Sequence, residues 1–278
     1  MSPIEAVLYW AALALYAVMG AAALYALVFK NDRFLARAWP VTLLAFALHT
    51  GAIAARYAAQ GHLPWAGDYE DALFGGWFIV GFTVAATWRT PSLRIISVGT
   101  FPLTVLLMGY GVMRNPTLTP LAASLRSSWL YVHVFFAWLA FGSYALAMGA
   151  GVVHEAKRRD ALRPARNPVY ERFPPLERLD ELMFRWIAFG FVTDAVMIVS
   201  GAIWARDLWG SYWSWDPVET WSLVTFLTYG LAIHLRVTRG WRGSRFAKLA
   251  MAGVVGMVIT FFGVNFVVES SSHFFNVR

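Results

Sequence analysis

Thirteen residues, Trp209-Gly-Ser-Tyr-Trp-Ser-Trp-Asp-Pro-Val-Glu-Thr-Trp221, carry four tryptophans, a tyrosine and an Asp-Pro-x-Glu turn between two apolar segments. Trp and Tyr gather at bilayer interfaces because their rings are amphipathic, but such a belt is scattered over several helix ends. Concentration in one loop, with histidines in other segments able to reach the same side, suggests instead a platform for a large planar ligand. Haem is the natural candidate. The platform residues are Trp209, Tyr212, Trp213, Trp215 and Trp221. Trp209 and Trp213 are four apart and Trp209 and Tyr212 three apart, so a helical turn would place them on one face.

The turn Asp216-Pro217-Val218-Glu219 reads first as architecture. Asp216 at the N-cap, Pro217 at N1 and Glu219 at N3 make a capping-box variant, with acidic charge at the positive end of a helix dipole. Its spacing fixes where the preceding rings sit. Six histidines, His49, His62, His133, His154, His234 and His273, are the available metal ligands, and there are no cysteines. The chain therefore has no disulfide, thiolate ligand or thiol chemistry of its own, and a thiol substrate must come from a partner.

These residues are positioned by membrane helices. Hydrophobic residues make up 59% of the chain and charged residues 14%, and mean hydropathy is +0.54, outside the range of soluble domains. The pattern predicts an all-α, polytopic transmembrane protein, a single domain over 1–278, with about eight spans. They lie near 4–29, 39–58, 72–88, 95–113, 130–153, 184–204, 219–236 and 249–268. The first segment is too long and too poor in N-terminal positive charge for a cleaved signal peptide, and is kept as a span.

The net charge of +7 is distributed as a topology signal rather than a nucleic-acid surface. Three basic residues follow the first span, two the third, eight the fifth and five the seventh, which puts eighteen of twenty-three on one side. Arg56, Arg114, Arg126, Arg206 and Arg278 fall on the other. The positive-inside rule then places both termini and the tryptophan loop outside the cytoplasm. Residues 154–183, basic and containing Pro164, Pro168, Pro174 and Pro175, read as a solvated topogenic loop near anionic lipid.

Depth sorts the histidines. His133 begins the fifth span and His273 follows the eighth, so both lie at the level of the tryptophan loop, as two axial ligands of one iron require. His234 is seventeen positions beyond Pro217, hence about 25 Å deeper at the helical rise of 1.5 Å. It cannot share that iron, and beside Arg236 it could simply satisfy last-turn carbonyls. His49, mid-span, reads as a helix–helix hydrogen bond before a ligand, and His62 and His154 as ordinary surface residues. Asp194 in the sixth span should face a partner or a wet cavity.

The loop and its surroundings resemble the CcsA/ResC family of cytochrome c assembly proteins. The family pattern W-G-x-W/Y-W-x-W-D-P-K-E-x-W-S/A-L is matched from Trp209 to Leu223. Gly201-Ala-Ile-Trp-Ala205, Ile233-His234-Leu-Arg236, Phe262-Gly-Val-Asn265 with His273, and Trp129-Leu-Tyr-Val-His133 are similar to other family segments. The likeness is strong over 125–278, with the tryptophan-rich loop at 205–221, and weak before that. Val218 stands where the family has Lys or Arg, so a positive contact to a haem propionate is not carried over. Gly61-His-Leu-Pro-Trp-Ala-Gly-Asp-Tyr-Glu70 keeps only part of another family segment.

The resemblance implies that His133 and His273 are outer haem ligands and that His234 is a ligand for a haem entering from the cytoplasmic side. The implied cargo is haem b, held noncovalently in transit against Trp209, Tyr212, Trp213, Trp215, Asp216 and Trp221. Implied partners are a CcsB/ResB-type membrane protein, which supplies a further histidine, and apocytochrome c with its Cys-x-x-Cys-His. Implied too is residence in a bacterial inner membrane or a thylakoid-type membrane, with system II haem attachment as the function and no side-chain nucleophile in this chain. Two alternatives stand beside it: a CcmC-like haem delivery protein without ligation activity, and a haem-free HemX-like assembly factor.

Overall fold

The computed structural model describes residues 1–65, 67–114, 116–118 and 125–263. Among these there are eight α-helices and no strand: α1 (Pro3–Val28), α2 (Arg33–Gln60), α3 (Asp68–Thr87), α4 (Ser97–Met113), α5 (Ser128–Ala161), α6 (Leu176–Trp209), α7 (Pro217–Arg239) and α8 (Ser244–Val258). A 3-10 turn, Pro91–Ile96, leads into α4, and a π-helical turn, Ile259–Gly263, continues α8. Each expected span overlaps one of these helices, most of which run past the expected bounds. Of the expected span 249–268, positions 264–268, like His273, lie outside the described residues.

Six of these segments, α1, α2, Pro91–Met113, α5, α6 and Ser244–Phe262, are long and apolar enough to cross a membrane, and the protein is an integral membrane protein. Two helices fall short in apolarity. α3 opens on Asp68, Glu70 and Asp71, and α7 carries His234, Arg236 and Arg239. At 20 and 23 residues they would still reach about 30 and 35 Å, the thickness of the hydrocarbon core.

Helices alternate in direction, so the starts of α1, α3, α5 and α7 share one end of the bundle. That end is tied by a buried ion network. Arg56, near the end of α2, is 2% exposed and uses all five N–H donors of its guanidinium. Nε and one terminal nitrogen reach Glu70 Oε1 at 3.0 and 2.8 Å, and Glu5 Oε1 takes a bond at 3.3 Å. The carbonyls of Pro116 and Thr117 accept the rest, both at 2.9 Å. Glu5 is itself fixed by the Ser2 capping box that opens α1, and Tyr69 donates to it at 2.9 Å. One guanidinium thus holds α1, α2, α3 and the segment after α4 together.

The second half, α5 to α8, is built on the long contact of α5 with α6, and α5 also packs on α3, α4 and α8. Glycines let backbones approach: a Cβ on Gly149 of α5 would lie 2.1 Å from the Ile96 carbonyl. Small residues serve membrane helices in this way because lipid supplies no hydrophobic drive for association.

The basic end differs from the solvated loop expected for 154–183. α5 and α6, 34 residues each, extend about 50 Å and so run past the hydrocarbon core. Val169, Tyr170 and Phe173 of the connecting segment are buried, and Lys30 lies 5.8 Å over the Tyr170 ring. Lys157 donates to the Phe173 and Pro174 carbonyls (2.9 and 3.0 Å), Asp160 takes Lys30 (3.1 Å) and the Asn167 amide (2.9 Å), and Arg172 pairs with Asp32 at 2.8 Å. An aromatic plug and matched charges, invisible in a basic, proline-rich composition, order the segment. His154 was likewise expected at the surface. It is 3% exposed, against Glu155 at 3.6 Å, because α5 continues beyond it and the α7–α8 turn at Gly243 covers it.

Arg56→Ala should leave Glu5 and Glu70 buried without a counter-charge, a loss typically of about 3–5 kcal/mol. Thermal unfolding in detergent and accumulation in membranes should both fall sharply, with Arg56→Lys intermediate. Wild-type stability of Arg56→Ala would show that the network is not what holds this end together.

Candidate functional site

At the end of the bundle shared with the ion network, Ser127 caps α5 by accepting the Trp129 amide at 3.2 Å. His133, half-buried, follows within the second turn. Its Nδ1 lies 2.8 Å from the Met197 carbonyl of α6. A carbonyl only accepts, so Nδ1 carries a proton, and in the neutral ring the lone pair is then on Nε2, the tautomer that can ligate a metal through that nitrogen. The approach depends on Gly201, where a Cβ would lie 2.5 Å from His133 Nδ1. Trp204, 3% exposed, stacks along the imidazole with centroids 6.4 Å apart and planes at 26°, and Trp209 packs on Trp204 at 5.5 Å.

The tryptophan loop is irregular. α6 stops at Trp209 with Gly210 in the left-handed region, φ 77°, so Trp209, Tyr212 and Trp213 do not share the helical face that their spacing allowed. Other contacts hold the rings. Arg206 lies 5.1 Å over Tyr212, and Trp213 meets Trp215 edge to face at 5.8 Å and 86°. Tyr212 and Trp215 are exposed, at 54% and 70%. Trp215 also has φ 58°, a conformation that bulky side chains rarely adopt. The Trp213 indole N–H is buried without a hydrogen-bond partner among the described residues.

What fixes this loop is the capping box expected from Asp216 and Glu219. Glu219 Oε2 accepts the amides of Ser214 (2.8 Å) and Asp216 (3.2 Å), and Asp216 Oδ1 accepts the Val218 amide at 2.9 Å. Both carboxylates are at most 9% exposed and face the backbone. They act on the loop as anchors, and Trp221 follows in the first turns of α7.

His234 is at the other end of α7, with its side chain exposed. α7 is continuous from Pro217 to Arg239, so the expected separation of about 25 Å from the loop is preserved. Two residues on, Arg236 is held between the rings of Phe184 and Phe246 (4.9 and 4.7 Å) and donates to Asp180 at 2.7 Å. The structure thus groups His133 with the loop and sets His234 apart. His49 belongs to neither site. Fully buried, it bonds the Tyr16 hydroxyl (3.3 Å) and the Leu73 carbonyl (2.8 Å), joining α1, α2 and α3 as the mid-span reading expected.

Gly201, Met197 and Trp204 were not singled out as site residues from the sequence. Their signal is their spacing: 197, 201 and 204 lie on one face of α6, and that face meets His133.

The sequence profile of the family described as cytochrome C assembly protein matches residues 65–271. Cytochrome c biogenesis protein CcsA of Guillardia theta is 30% identical over 244 residues, covering 81% of this chain and 81% of that protein. The CcsA proteins of Parasynechococcus marenigrum and Gloeobacter violaceus are 33% and 31% identical, covering 80% and 79% of this chain and 81% and 80% of their own lengths. Among solved structures, the cytochrome c haem lyase CcmF shares the fold, with a TM-score of 0.68 at 22% identity over 94% of this chain. This chain spans about half of that one, 47%.

Gly201→Ala should push the His133 ring off the Met197 carbonyl without touching the loop. In protein labelled with nitrogen-15 histidine, the His133 resonances should change from the Nδ1–H tautomer to a mixture, while Gly210→Ala leaves them in place. An unaltered His133 signal in Gly201→Ala would mean that the close approach does not set the tautomer.

Proposed function

The chain belongs to the cytochrome c assembly protein family, and on that footing we propose that it is a CcsA-type subunit that carries and presents haem for attachment to cytochrome c. The observation that carries the proposal is the His133–Met197 bond, which sets the lone pair of a ring beside Trp204 on Nε2, next to the aromatic loop. This donor chemistry fits haem: a neutral imidazole for iron and flat rings for the macrocycle. His133 and His273 would be its axial ligands. Trp209, Tyr212, Trp213, Trp215 and Trp221 would pack on it, and Asp216 with Glu219 would fix the loop. His234 would bind haem at the opposite face of the membrane.

Haem is the cargo, haem b held noncovalently, and its vinyl groups supply the chemistry of attachment to the cysteines of apocytochrome c. With no cysteine in the chain, its own contribution is proximity, orientation and exclusion of competing geometries. A CcsB/ResB-type membrane protein would be the partner. The six apolar segments, α1 and α2 among them, together with α3 and α7, would make eight crossings. Two of the arginines at the loop end are paired with carboxylates, Arg56 with Glu5 and Glu70 and Arg114 with Asp68 at 2.7 Å. This supports assigning that end, with both termini, to the outer side of a bacterial inner or thylakoid-type membrane.

His133→Ala or His273→Ala should convert a six-coordinate, low-spin haem spectrum of the purified protein into a five-coordinate or haem-poor one, with partial recovery on adding imidazole. Unchanged spectra in both variants would refute the ligand assignment.

His234→Ala should lower the haem that reaches the outer site in cells coexpressing the partner, while haem added from outside still gives the His133 spectrum. Loss of that spectrum even with external haem would overturn the two-site reading and make His234 structural.

A further inference from the structure

Asp194 lies within α6, 3% exposed. Tyr144 of α5 donates to its Oδ2 at 3.1 Å and is the only hydrogen-bond donor to this carboxyl group among the described residues. The Tyr144 ring stacks on Tyr229 of α7, centroids 3.7 Å apart and planes at 12°, and the Tyr229 hydroxyl donates to the Ala250 carbonyl of α8 at 3.3 Å. Two glycines make room for this pair. A Cβ on Gly190 would lie 2.5 Å from Tyr144, and one on Gly253 would lie 2.4 Å from Tyr229. All four helices of the second half are therefore shaped around one acid and two phenols.

Asp194 and Tyr144 border a cavity of about 60 Å³ between α5, α6, α7 and α8, and the other polar side chains that line it are Ser222, Thr225 and Thr260. Each of these hydroxyls gives its proton to a carbonyl of its own helix: Ser222 to Glu219 at 2.7 Å, Thr225 to Trp221 at 2.9 Å and Thr260 to Gly256 at 2.9 Å. Their oxygens therefore offer lone pairs, and so does the carboxyl group. A lining of acceptors calls for a ligand that donates hydrogen bonds or carries positive charge. The volume suits a few waters.

The titratable groups near Asp194 are Tyr144 of α5, which bonds it, and Tyr229 of α7, stacked on Tyr144; α8 and its π turn present Met257, Thr260 and Phe261. No Lys, Arg or His lines the cavity among the described residues. An ionised carboxylate left without a counter-charge in hydrocarbon is costly, and such groups in membrane spans serve proton paths or ion sites.

We propose that this cavity is a proton-binding site, in which Asp194 exchanges a proton with water that enters between α5, α6, α7 and α8. In the uptake step a hydronium ion gives one proton to the Asp194 carboxylate. An O–H bond of the hydronium breaks as the carboxyl O–H forms, neutral water is left, and the site passes from a charge of minus one to zero; release is the reverse. The place of the site gives that charge a reach. Met197, whose carbonyl holds His133, lines the same cavity three residues along α6, about 4.5 Å up the axis. The proton on Asp194 thus sets the field beneath the outer imidazole.

The test is infrared difference spectroscopy of the full chain in lipid nanodiscs during pH exchange, in light and heavy water. A protonated-carboxyl C=O band should titrate, shift promptly in heavy water and be missing in Asp194→Asn, which keeps the shape and an acceptor for Tyr144. Tyr144→Phe should keep the band and move its frequency, because the phenolic donor is gone. Equal thermal unfolding of wild type and Asp194→Asn establishes that the bundle is intact in the comparison. A band unchanged in Asp194→Asn, or one that stays unshifted after hours in heavy water, would overturn the proposal in favour of a dry structural acid. Displacement of the band by sodium or potassium at constant pH would overturn it in favour of a metal-cation site.

Discussion

Hydrocarbon offers no water to a buried charged or strongly polar group, so the costliest ones inside this bundle are held by partners in the protein. The arrangement of the helices follows from where those partners are. Arg56 finds two carboxylates and two carbonyls and so binds four segments at one end. His49 spends both ring nitrogens on α1 and α3. His133 spends one nitrogen on a backbone carbonyl of α6. Both rings tie helices together through a backbone carbonyl, and in neutral His133 the Nδ1–H bond to Met197 puts the lone pair on Nε2.

One face of α6 carries most of what distinguishes the second half. Gly190, Asp194, Met197, Gly201 and Trp204 recur at spacings of four and three, the rhythm of a helix packed along its length on a neighbour. Gly190 admits Tyr144 and Gly201 admits His133, both from α5. Asp194 and Met197, between them, meet the same two residues through hydrogen bonds. The glycines are therefore not a generic smooth surface. Each is a notch for one aromatic ring, and enlarging either one would displace a ring with a hydrogen bond to keep.

Much of this was legible in the sequence. Long apolar runs mark the helices, and the Asp216–Glu219 spacing marks the cap, because both signals are local and each depends on a few neighbouring residues. What stayed hidden depends on tertiary approach. The ordered basic segment at 154–183 looks solvated by composition, yet it buries Val169, Tyr170 and Phe173 beyond the hydrocarbon core. His154 looks peripheral until α5 is seen to continue past it. Gly201 reads as one small residue among many in the spans, since nothing in the chain announces that His133, far away in sequence, will arrive there.

The two ends of the bundle are also unequal in completeness. Around His133 the chain supplies the orienting carbonyl, the stacked indole and a loop fixed by its own carboxylates. Around His234 it supplies a well-anchored helix end, through Arg236 and Asp180, but the imidazole itself is exposed on α7, on a surface with Leu231 and Val237. A polar ring on an apolar membrane-facing surface is stable only where another polar group or the headgroup region meets it. The anchoring of Arg236 makes that position rigid, so a second surface could meet it at a fixed place. On the function proposed above, the His133 end would offer haem a loop of this chain's own rings, whereas the exposed His234 would need a second surface to meet it.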